Sequence, residues 1–163
     1  MAFNAAHDVA FSRAEDEVVL ASPRALALAM SAPAFRVDYR PEPLVEAEGR
    51  NYYPSVEHVT DLCFARRDMT LILDEAHLVC SPWSIPKEIF KAAILGRHKE
   101  LNIVYIGHSL TMIHSQLLRG TDAFYFFRIV HPGDLDRVEE FCGADAADAV
   151  QELAQYQYLE WQK

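Results

Sequence analysis

Asp74 and Glu75 stand side by side at the end of Met69-Thr70-Leu71-Ile72-Leu73, a short, largely apolar run that leads straight into two carboxylates. Such a run reads as a strand buried on both faces, the kind found in a parallel sheet covered by helices. Its carboxyl end is the edge at which open α/β sheets bind ligands. Paired carboxylates at that edge are groups that bind a cation or move a proton. A plainer role is open to the same pair, because acids are favoured at the amino end of a following turn or helix. The apolar strand before the pair and Ala76-His77 after it favour the ligand-binding reading.

A second constellation is Ile106-Gly107-His108-Ser109-Leu110, which has the strand-to-helix turn and central serine of an α/β-hydrolase nucleophile elbow. The second glycine of that elbow is replaced by Thr111, and Asp122, His131 and Asp134 lie close behind the serine in sequence. Only 54 residues follow Ser109, too few for the rest of a hydrolase sheet. Ser109 is more simply the N-cap of the next helix. Metal spacing is poor: His77 and Cys80 are three apart and His108 and His114 six apart, so neither makes a four-ligand zinc set. Cys63, Cys80 and Cys142 are odd in number and lack CxxC spacing, which fits neither a disulfide framework nor a zinc module and suits a reducing cytoplasm.

The elements that must position these groups alternate along the chain. Val18–Leu20 is a short apolar run, Ser22-Pro23 opens a helix over 24–30, and 35–39 alternates as a strand closed by Arg40-Pro-Glu-Pro43. Residues 46–67 show helical spacing at Val56, Val59, Leu62 and Cys63. After the acidic strand, Pro82 and Pro86 bracket a turn into a helix whose end is capped by Gly96. Residues 101–106 read as a second buried strand, 109–118 as a helix and 123–129 as a third buried strand with its aromatic residues in the core. Residues 132–141 and 145–156 read as helices and 156–161 as a last strand, whose alternation could present one aromatic face. Strands alternating with helices give an α/β fold with a mainly parallel sheet flanked by helices.

At 163 residues the chain is expected to form a single domain with a substantial core. No apolar run is long enough to span a bilayer, and the N-terminus lacks the pattern of a signal peptide. The formal charge of −9 argues against nucleic acid bound over the whole surface, while Arg66-Arg67 and Arg97-His98-Lys99 leave room for a local basic lining. Such pairs are more often solvated helix ends.

The Asp-Glu strand resembles a Walker B strand. With Phe35-Arg36-Val37, Tyr39-Arg40-Pro41, the Gly96-Arg97-His98-Lys99 block, His108 after the next strand and Phe126-Phe127-Arg128 before Pro132-Gly-Asp-Leu135, residues 1–161 resemble the additional-strand P-loop ATPases of the HerA, FtsK and zonular-occludens-toxin group. Those are DNA-pumping or packaging motors, many from phages, plasmids and secretion systems. The resemblance implies that Asp74 holds Mg2+ and that Glu75 is the general base. It makes Arg97 a finger or inter-subunit contact that stabilises developing phosphate charge. His108 takes the place of the glutamine that senses the γ-phosphate, and Arg128 matches a strand-end, nucleotide-binding arginine. DExH helicases also carry Asp-Glu-Ala-His, but they place Ser-Ala-Thr where this chain has Gly-His-Ser.

One departure is large. Nowhere is there a GxxxxGK followed by Ser or Thr, the loop that cradles the phosphates. By the resemblance the chain starts after that loop, its strand and its helix, either trimmed from a longer parent or no longer a nucleotide hydrolase. The expectation is therefore an incomplete P-loop ATPase-like domain over residues 1–163, related to DNA-packaging or translocating motors and not hydrolysing ATP by itself. Mg2+ and ATP would bind only where another segment completes the site. The alternative is a non-catalytic scaffold or interaction protein, a phage or mobile-element component; an esterase using Ser109 ranks below both. The expected partners are copies of itself or another protein, with DNA possible and no membrane segment.

Overall fold

The computed structural model describes residues 2–4, 18–20, 22–32, 37–39, 44–45, 51–52 and 55–163. The expectations for 5–17, 33–36, 40–43 and 46–50 lie outside the described residues. The chain divides into two compact units, Met1–His108 and Ser109–Lys163.

The first unit is built on a five-stranded sheet. Its strands are β1 (Ala2–Asn4), β2 (Val18–Leu20), β3 (Val37–Tyr39), β6 (Met69–Asp74) and β7 (Leu101–Tyr105), in the order β2-β3-β1-β6-β7. Every pairing within it is parallel. A small antiparallel pair, β4 (Leu44–Val45) with β5 (Asn51–Tyr52), stands apart. The acidic strand β6 is flanked on both sides, which is what its apolar composition requires: Leu71 and Leu73 are fully buried. The helices of this unit are α1 (Pro23–Ala29), α2 (Ser55–Arg66) and α3 (Lys87–Leu95). Helix α2 begins well after residue 46, because Asn51–Tyr52 is spent on β5; from Ser55 on, Val56, Val59 and Cys63 form the buried stripe that the spacing implied.

One expectation needs correction here. Strand β7 is not buried on both faces: Asn102, Val104 and Ile106, which alternate onto one face, are exposed, and β7 is the edge strand of the sheet among the described residues. Gly96 is the C-cap of α3, as expected; it holds that place in the right-handed region, at φ −58, with its N–H donating to the Ala92 carbonyl. Glycine there also permits close approach, as a Cβ would sit 3.2 Å from the Leu101 carbonyl oxygen.

The second unit contains α4 (Ser115–Gly120), β8 (Ala123–Phe126), α5 (Pro132–Cys142), α6 (Ala144–Glu152) and β9 (Leu159–Gln162). Strand β8 is shorter than 123–129 and is no third strand of the parallel sheet; it pairs antiparallel with β9 in a two-stranded ribbon. Phe124 and Phe126 enter the core of this unit, where the Phe124 ring stacks 5.3 Å from Phe126 and 6.3 Å from Phe141. Tyr125 and Phe127 do not, being 58% and 61% exposed. Helices α5 and α6 meet at Gly143, whose φ of +92 only glycine adopts without strain.

The anticipated helix over 109–118 is split into a 3-10 turn, Leu110–Met112, and α4. Ser109 stands at the N-cap position of the 3-10 turn but makes no side-chain capping bond, and it does not cap α4. The N-cap of α4 is His114, whose Nδ1 accepts the Gln116 amide at 3.2 Å.

Because Leu71 packs wholly inside the sheet layer, Leu71→Ala is expected to destabilise the protein by about 2–5 kcal/mol, as in other buried leucine truncations. Urea unfolding followed by circular dichroism measures it, and a loss below 1 kcal/mol (about the cost of a surface change) would contradict this packing.

Candidate functional site

The end of β6 is fixed from both sides. Asn4 of β1 lies opposite Asp74, and β7 continues the ladder beyond its last residue, with Ile106 N–H donating to the Leu73 carbonyl at 2.9 Å. The Ala76 amide then donates to the Ile106 carbonyl at 2.8 Å, so the chain leaves the sheet one residue after the acid pair. Glu75 makes this exit in the left-handed region, at φ 52 and ψ 49, and a 3-10 turn follows over Ala76–Leu78. An L-residue with a long side chain holds that conformation at a cost of about 1–2 kcal/mol.

Asp74 is 3% exposed. The carboxylate of Glu75 meets one imidazole closely, His108 Nε2 at 2.6 Å from its Oε1, while His77 Nδ1 lies 3.3 Å from its Oε2 without a hydrogen bond between them. The two rings are 6.5 Å apart and tilted by 53°. His108 is mostly exposed, while Glu75 and His77 are largely covered. The parallel register thus places Asp74, Glu75, His77 and His108 at one edge of the sheet. Nearby on β7, opposite Leu73, Tyr105 is held neutral by burial, which pushes its phenol up, with Cys80 adding to the effect. Burial likewise pushes the Cys63 and Cys80 thiols up to about 12, so neither is a nucleophile near neutral pH.

Of the residues singled out by type and spacing, Asp74, Glu75 and His108 are brought together. Arg97 is not. It sits in the 3-10 turn Gly96–Lys99 that precedes β7, so it lies at the amino edge of the sheet, the length of a five-residue strand (about 16 Å) from the acid pair. Within one copy it does not reach them. Arg128 is exposed and lies two residues past β8 in the second unit. His77 was legible as part of the Asp-Glu-Ala-His string and as a poor metal pair with Cys80, and neither pattern announces its closeness to Glu75.

The serine constellation resolves differently. Ser109 Oγ donates to Asp134 Oδ1 at 2.7 Å, and the Thr111 amide donates to the same oxygen at 3.0 Å. His131 Nδ1 stands 3.9 Å from the other oxygen of Asp134. No imidazole lies between serine and acid, and Ser109 has extended backbone, φ −149 and ψ 132, rather than a strained elbow. A hydrolase needs the order serine, histidine, acid to draw off the proton. Asp134, 6% exposed, fastens the 109–111 loop to the first turn of α5, and the esterase alternative falls away. Among the described residues no group of three or more His, Cys, Asp and Glu is arranged to hold a metal ion, and no helix is long and apolar enough to cross a membrane.

No protein-family model and no curated protein sequence matches the chain. Its fold is shared with solved structures of the genome packaging NTPase B204 of Sulfolobus turreted icosahedral virus 2. In complex with ATP-gammaS that protein superposes with a TM-score of 0.76 at 16% identity, over 99% of this chain and 74% of that one. With AMPPCP the TM-score is 0.73 at 15% identity, over 99% and 76%. B204 described as the DNA-packaging ATPase from Sulfolobus turreted icosahedral virus gives 0.63 at 16% identity, over 78% and 62%. At such identities the likeness is one of fold: the α/β fold of this chain resembles that of a viral genome-packaging P-loop NTPase.

Proposed function

We propose that the chain is one P-loop ATPase-like domain of the HerA, FtsK and zonular-occludens-toxin type, related to DNA-packaging motors, which does not hydrolyse ATP by itself. The observation that carries this reading is the acid pair at the carboxyl end of the central parallel strand β6, with His108 at the end of β7 reaching back to Glu75. The fold shared with a packaging NTPase supports it.

The residues fit only half of a nucleotide site. Asp74 offers the hard carboxylate oxygens that a hydrated Mg2+ takes, and Glu75 stands next to it. Magnesium would supply a charge to offset that of phosphates. The phosphate side has no match, because the sequence holds no GxxxxGK loop and therefore none of its backbone donors or its lysine. Glu75, moreover, is already bound to His108, which favours a retained scaffold over a free base. Arg97 and Arg128 are assigned to contacts with a neighbouring copy or segment, and the protein to the cytoplasm. An active site, if formed, takes its phosphate-holding groups from another segment.

Strand β7 is where such a segment would pair. Its outer side is open among the described residues, and Val104 and Ile106, with Ile94 and Leu95 of α3, are exposed. Open strand edges beside apolar surface invite association.

Three outcomes follow. Titration of the chain with Mg-ATP is expected to give no saturable binding in the micromolar range, and micromolar affinity would overturn the scaffold reading. Sedimentation at rising concentration is expected to show self-association that Val104→Lys weakens, whereas a strict monomer would count against an open edge at β7. Finally, the left-handed Glu75 is kept for its carboxylate and not for stability: Glu75→Gly is expected to be more stable than Glu75→Ala by about 1 kcal/mol, since only glycine is at ease there. Equal melting of the two variants would show that the strain is absent.

A further inference from the structure

Three aromatic rings of the second unit lie outside its core and against one another. Strands alternate their side chains between two faces. Phe124 and Phe126 point into the core, and Tyr125 and Phe127 point away from it. On β9 and just before it, Tyr158 and Glu160 share that outer face, with Tyr125 directly opposite Glu160. Tyr158 is the hub: its ring lies 6.0 Å from Tyr125 and 6.2 Å from Phe127, tilted by 52° and 57°. All three rings are more than half exposed, at 58%, 61% and 56% for Tyr125, Phe127 and Tyr158. Single exposed apolar side chains are ordinary, but three gathered around one ring, Tyr158, on one ribbon are a surface kept for something.

The charge around the rings says what suits them. The second unit carries Arg119, Arg128, Arg137 and Lys163 against nine Asp and Glu, a net of −5. Glu160 stands among the rings, where its Oε1 accepts the Tyr125 hydroxyl at 3.1 Å. Arg128, beside Phe127, is the one basic residue adjoining the face in sequence. Aromatic faces attract cations through their quadrupole, and guanidinium groups stack on them flat while a nearby carboxylate takes their N–H groups. Exposed rings would also stack nucleic-acid bases, but a strand of phosphates gains its affinity from basic surroundings, and here the surroundings are acidic.

We propose that the Tyr125–Phe127–Tyr158 face, with Glu160, is a docking surface for an arginine-bearing extended segment of a partner protein. The rings hold the guanidinium planes, and Glu160 sets the preference for positive charge.

The test uses the full chain and capped peptides with arginine, lysine or glutamate at alternate positions, followed by chemical shifts of the aromatic rings. The arginine peptide is expected to bind, the lysine peptide more weakly and the glutamate peptide not at all. Phe127→Ala and Tyr158→Ala should each weaken binding about two- to fivefold, as exposed cation–π contacts do. Tyr158→Phe should retain it, and Trp83→Ala, far along the chain in the first unit, should leave it unchanged. Glu160→Gln, which keeps every ring, should weaken the arginine peptide and narrow its margin over the glutamate peptide. Equal binding of the arginine and glutamate peptides would overturn the proposal. So would tighter binding of an oligothymidylate, which would make the face a base-stacking platform, or conversion of an oligomer to monomer by Tyr158→Ala, which would make it a contact between copies.

Discussion

The parallel register of β6 with β7 is the constraint on which the rest of the first unit depends. Five consecutive pairs, Met69 with Leu101 through Leu73 with Tyr105, fix both strand ends at once. Two further backbone bonds, from Ile106 to Leu73 and from Ala76 to Ile106, carry the lock past the last paired residues. A parallel strand pair gathers at one edge whatever follows each strand, and at the other whatever precedes each. Hence Glu75 and His108 meet although 33 positions separate them in sequence, while Arg97, only 11 before His108, stands at the far edge. A register slip of one residue would turn Leu71 and Leu73 out of the core, so burial protects the site geometry.

At that edge the chain tolerates a local cost. Glu75 could leave the strand as glycine without strain, yet a glutamate is held left-handed there with both carboxylate oxygens facing imidazoles. Strained residues of this kind persist where the surroundings over-determine them and where the side chain serves a purpose. The purpose in this chain is at least to join the ends of two strands: a carboxylate largely removed from water gains more from a close imidazole than an exposed pair would. The same contact narrows what Glu75 can do. A general base must be within reach of the proton it takes, and an oxygen already 2.6 Å from His108 Nε2 has to exchange that partner first.

How far the sequence could be read depended on whether burial had one cause or two. Strand β6 was legible, because a run with no polar side chain beyond Thr70 admits little besides a central strand, and so was the acid pair at its end. Strand β7 carries the same apolar signature but is half exposed, since composition records which residues would accept burial and not whether a neighbour supplies it. In residues 123–127 the alternation was hidden by aromatic residues on both faces, which made an amphipathic ribbon strand look uniformly buried. Ser109 looked like a helix cap because hydroxyl residues at strand-to-helix junctions usually are. Its true partner, Asp134, lies 25 positions away and is found only through the fold. The left-handed turn at Glu75 left no trace, since neither glycine nor asparagine marks it.

The two polar knots of the structure show why residue types alone do not define an activity. Around Ser109 the chain assembles a hydroxyl, an acid and a nearby histidine, the inventory of a nucleophilic enzyme, yet the acid takes the hydroxyl directly and nothing can draw off its proton. Around Glu75 it assembles an acid pair and a close imidazole at the edge where open α/β sheets bind ligands, in a sequence that holds no GxxxxGK loop. The first is complete as a structural fastening, because its buried acid is satisfied by groups within its own unit. The second is complete only on its carboxylate side. That asymmetry is what separates them: an acid pair placed at a ligand-binding edge, on a strained backbone, costs stability that a mere fastening would not require.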